Sequence, residues 1–131
     1  MIEMHVLESA KETDNKLRWD AFIDDVKFSL YIPKWRVPEP WPSTIYVVIS
    51  EQLTNIKSYK PMNPQIAQTD PALLKSSIMA VLNWESDHTK TVRFSPVGNS
   101  KEWEIGEPYI PYALLPQNSK RSLLIEIKWK P

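Results

Sequence analysis

The sequence predicts a mainly-β protein. About eight strands fall into two pseudo-symmetric four-strand units, forming a barrel or a sandwich, with an irregular linker and at most a short helix near 71–76. Three observations point there. Apolar residues recur with a period of two rather than 3.6, in short runs. The chain has twelve prolines and only two glycines, so proline, which fixes φ and removes a ladder donor, must end the strands and shape the loops. The order of runs in the first half also returns in the second.

In chain order, Ile2, Met4 and Val6 alternate with Glu3 and His5. Leu17, Trp19 and Ala21 alternate with Arg18 and Asp20, and Val26, Phe28 and Leu30 with Lys27 and Ser29. Ile45, Val47 and Ile49 follow a Pro-rich loop. In the second half come the apolar stretch Ile78–Trp84, then Val92 and Phe94, then Trp103 and Ile105. Leu123, Ile125, Ile127 and Trp129 close the series. Each alternating set places one row of side chains on one face of a sheet. Trp19, Phe28, Val47, Phe94, Ile125 and Ile127 are the predicted core.

The repeat aligns residues 2–22 with 77–97, and residues 31–51 with 109–129. It matches Met4, Val6, Leu7 and Arg18 to Met79, Val81, Leu82 and Arg93, and sets Tyr31-Ile32-Pro33 over Tyr109-Ile110-Pro111. The expectation is a single domain, 1–131, with an internal repeat of 2–51 and 77–129 and a connector, 52–76. Within the connector, Asp70-Pro71 is a helix start signal, with Asp at the N-cap and Pro at N1. Leu74, Ile78, Val81 and Leu82 could extend it as one helix over 71–84, but the repeat makes Ser77–Trp84 a strand, so a short turn near 71–76 is the favoured expectation.

Composition narrows the function classes. A hydrophobic share of 42% and an aromatic share of 11% describe a chain that can bury a core. Without cysteine there are no disulfides, thiolate metal sites or cysteine nucleophiles. Together with an N-terminus lacking a basic, apolar leader, this leads us to expect a cytoplasmic protein. Sixteen basic residues balance sixteen acidic ones. That neutrality disfavours nucleic acid as a partner, because such binders usually carry a basic excess.

Catalytic spellings are weak. With only His5 and His88, a zinc site is short of histidine ligands and a Ser-His-Asp triad would rest on one or two candidates without sequence context, and no Gly-x-Ser-x-Gly elbow occurs. Glu126-Ile127-Lys128 and Asp25-Val26-Lys27 spell a nuclease-like strand pair, but alternating charge on an outward face gives the same spelling. No catalytic residue, metal or cofactor is therefore expected. The leading reading is a non-enzymatic binding or accessory module whose ligand the sequence does not name, a protein partner or a second copy of the chain being the options it leaves. The alternatives are a nucleic-acid-binding β-domain, and a small metal-dependent hydrolase or nuclease.

One loop stands out as a binding surface. Tyr31, Lys34, Trp35, Arg36 and Trp41 place two cations beside large aromatic faces on a segment stiffened by Pro33, Pro38, Pro40 and Pro42. Such groups stack planar ligands or anchor a partner. Arg18 and Arg93, matched by the repeat, are the second candidate, because two guanidinium forks converging near a pseudo-twofold axis would hold a carboxylate or phosphate.

Overall fold

The structure, a computed structural model, describes residues 3–51, 61–116 and 122–131. Eight strands are present: β1 Met4–Glu12, β2 Lys16–Ile23, β3 Val26–Pro33, β4 Thr44–Ser50, β5 Ile78–Asp87, β6 Thr91–Pro96, β7 Tyr109–Pro111 and β8 Ser122–Lys128. They form a closed barrel in the order β1-β2-β3-β7-β6-β5-β8-β4, antiparallel at every junction. Closure decides between barrel and sandwich, and it leaves no free sheet edge.

Each half runs in the same order, β4-β1-β2-β3 and β8-β5-β6-β7, and the seams join β4 to β8 and β3 to β7. The registers agree residue by residue. Leu7 faces Ile45 in the first half and Leu82 faces Leu123 in the second. Trp19 faces Ser9, and Phe94 faces Trp84. The first hairpin shifts register between Ser9 and Lys11, the second between Trp84 and Ser86, which are matched positions. A shift of this kind adds an unpaired residue and sharpens local twist, as barrel curvature requires.

The tight turn between β2 and β3 has Asp24 at φ 49° and Asp25 at φ 63°. Positive φ at both central residues marks the hairpin turn whose twist suits the strands, and Asp tolerates that region better than most residues.

The core is the barrel interior. All six predicted core residues are at most 1% exposed. Trp19 satisfies its indole N–H on the Pro42 carbonyl at 3.1 Å, so a polar donor enters the core without penalty. Phe94 takes an edge contact from Trp84 at 5.5 Å between ring centres.

Two expectations are corrected. Trp103–Ile105 is not a strand; the seventh strand is Tyr109–Pro111, and a 3-10 turn covers Ser100–Glu102. Ile105 is buried, so its inward position was legible. But the matched places of Phe28 and Leu30 hold Gly106 and Pro108, and Pro108 has no N–H to give a ladder. The Gly106 N–H instead donates to the Tyr31 carbonyl at 2.8 Å. The second correction is a helix, α1 Pro64–Thr69, in the connector ahead of the expected turn. Asn63 caps it, its side chain accepting from the Ile66 N–H at 2.8 Å, and Pro64 takes the first position. The expected short turn is a 3-10 segment, Pro71–Lys75, and β5 follows as a strand. Residues 52–60 of the connector lie outside the described residues. No helix among the described residues is long and apolar enough to cross a membrane.

Candidate functional site

The loop singled out by sequence begins where Pro33 ends β3 and a 3-10 turn, Lys34–Arg36, redirects the chain. Val37 then enters the core. The turn sends its three side chains to different places.

Lys34 stays at the surface. Its Nζ lies 2.6 Å from Glu12 and 5.4 Å from the centre of the Trp41 ring. Glu12 is exposed, so the ion pair itself adds little stability. It does hold the ammonium over the indole, which is 41% exposed. Trp35 packs against Met62, Ala67 and Leu74, a second apolar cluster beneath α1.

Arg36 does not join the binding surface. It is fully buried, which corrects its expected role. Its Nε donates to Glu104 at 2.6 Å, and its remaining nitrogens donate to the carbonyls of Leu74 at 2.9 Å, Ser76 at 2.9 Å and Ser77 at 3.2 Å. The guanidinium also lies 5.9 Å from the centre of the Trp129 ring. A charge cannot be buried without such compensation. Arg36 therefore fastens the connector to the barrel.

Arg18 and Arg93 do not converge. β3 and β7 separate their strands, and three inter-strand steps amount to roughly 14 Å. Arg18 has Asp20 3.1 Å from its Nε and donates to the Tyr31 hydroxyl at 3.4 Å. Tyr31, and then the Asp20 charge, hold the guanidinium above its ordinary pKa. Arg93 lies 3.4 Å from Glu107. Each arginine serves its own half of the barrel. Among the described residues no group of three or more His, Asp or Glu could hold a metal ion. Glu126 sits between Val48 and Met79 on the neighbouring strands.

What the sequence reading missed is a cavity of about 490 Å³ beside the loop. Pro38, Pro40, Pro42 and Trp129 line it, together with Lys75, Lys128 and Lys130, and Glu39 is the acidic member. A second cavity of about 450 Å³ lies on the other side of Pro38 and Glu39, against Trp35, Ala67 and Leu74. The signal was present as Lys128-Trp129-Lys130, a basic-aromatic triplet like Lys34-Trp35-Arg36. No family model, curated protein or solved structure matches the chain, so the site rests on its own residues.

Proposed function

We propose that this chain is a single-domain, non-enzymatic binding module, cytoplasmic, with its ligand seated between the Pro33–Pro42 loop and the end of β8. The cavity of about 490 Å³ carries this reading. Its size falls among small-ligand sites, which run from about 300 to 1,000 Å³. Its walls are stiff. Three prolines belong to them, and Trp129 is fixed by its N–H donating to the Ser76 carbonyl at 3.0 Å. Little ordering entropy is then lost on binding. We also take the two β-units as copies of one ancestral unit, supported by their common strand order and matched register shifts.

Nucleic-acid binding at Trp41 draws less support, because Lys34, the cation beside that ring, is already paired to Glu12. A ligand-observed NMR screen of small aromatic and aliphatic fragments against the full chain tests the binding reading. Fragments that bind the wild type, compete with one another and weaken on Trp129→Phe are expected. A screen with no Trp129-dependent binder would remove the reading.

A further inference from the structure

We infer that the cavity beside Trp129 recognises a small planar anion: a flat aromatic ring carrying a phosphate or carboxylate group. This rests on the binding reading and specifies its ligand.

The charge argument comes first. Lys75, Lys128 and Lys130 line the cavity against one carboxylate, Glu39. None of the three lysines makes an ion pair among the described residues. This contrasts with the other cations near the site: Lys34 is paired to Glu12 and Arg36 to Glu104. A chain with zero net charge has thus gathered three uncommitted ammonium groups around one concavity. They arrive from two fixed places. Lys128 points outward because Ile127 points into the core, and Lys130 follows it past Trp129. Lys75 ends the 3-10 turn whose Leu74 carbonyl is held by Arg36. Ammonium groups on flexible stems suit an anion as point charges.

The ring argument is independent. The Trp129 N–H is spent on Ser76, and the Arg36 guanidinium lies over its ring. What the indole offers the cavity is apolar ring surface, in a lining shared with prolines that have no N–H to give. A flat ring suits such a lining, since base–aromatic stacking is sequence-tolerant and driven by the π-face. Glu39 adds one acceptor, favouring a ring with an N–H donor.

Trp fluorescence titration of the full chain with adenosine 5′-monophosphate, 2-naphthoate, adenosine and inorganic phosphate tests the inference. The two planar anions are expected to quench, with affinity falling as salt rises. Adenosine and inorganic phosphate should bind at least about tenfold more weakly, each lacking one of the two recognised groups. Lys128→Gln with Lys130→Gln, the first half-buried and the second exposed, should weaken the planar anions about tenfold and leave adenosine unchanged. Thermal unfolding of the double variant should match the wild type. Equal binding of anionic and neutral rings would overturn the anion assignment while leaving the binding module standing. Failure of all four probes would overturn the assignment as well, and the fragment screen would then decide the broader reading. A hexadeoxyadenylate that binds far more tightly than the mononucleotide would also overturn it, in favour of a nucleic-acid strand.

Discussion

The two halves of the barrel pair alike and end differently. After Tyr-Ile-Pro each makes a 3-10 turn, closed by the Val37 N–H on the Lys34 carbonyl in the first half and the Leu115 N–H on the Tyr112 carbonyl in the second. The first turn then plants Trp35 and Arg36 into the connector. At the matched position of Arg36 the second has Leu114, which packs on the core edge. β3 runs eight residues and β7 only three. A common register therefore fixes the scaffold, while the segment packed outside it decides where a site forms. Among the described residues, the connector, Arg36 and Trp129 meet beside the first half's loop, and the cavity lies there.

The largest test of this contrast is Arg36→Ala, which breaks the buried ion pair with Glu104 and takes the guanidinium donors away from the Leu74, Ser76 and Ser77 carbonyls. Loss of one partner of a buried pair costs about 3–5 kcal/mol, to be read by chemical denaturation. Leu114→Ala should cost clearly less, as it trims a half-buried side chain. Equal losses would erase the asymmetry. Trp19→Ala and Phe94→Ala probe the shared part. Each should cost about 3–5 kcal/mol, and a wide gap between them would mean that matched core positions are not equivalent. Trp35→Ala comes next, at about 1–3 kcal/mol, because it removes the lid of the small cluster under α1 while leaving the barrel intact. Near-ultraviolet circular dichroism should change little beyond the lost Trp35 signal. Lys34→Ala is the smallest, within about 1 kcal/mol, and should brighten or shift Trp41 emission by uncovering the ring.

Much of the barrel was legible locally. Alternation located seven strands and all six chosen core residues, because burial on one face of a strand leaves a period-two trace. Trp103–Ile105 misled for a physical reason: Ile105 is buried, but the Gly106 and Pro108 that follow cannot continue the ladder. The helix α1 was hidden among prolines, although Asn63-Pro64 repeats the logic of Asp70-Pro71. Closure was not legible, since the β3–β7 and β4–β8 seams join residues distant in sequence. The site divides in the same way. Lys34 and Trp41 sit in one loop and were visible as a pair. The burial of Arg36 depends on Glu104, 68 residues away, and the cavity gathers Lys75, Trp129 and Pro40 from three separate segments.

The two seams have a consequence for assembly. β4 pairs with β8, and β3 with β7, yet nothing in those ladders requires both strands to come from one chain. Each half completes its own three-strand meander and fourth strand through pairings closer in sequence, so seam formation is the step that bears the loop-closure cost. In concentrated solution the same ladders are satisfied if the first half of one molecule closes on the second half of another. Refolding from denaturant at rising protein concentration should therefore yield a growing fraction of dimer with native circular dichroism, separable by size-exclusion chromatography. Refolding that stays monomeric at every concentration would show that closure within a chain outruns exchange. The geometry that gives this barrel no free edge also gives it a ready way to trade halves.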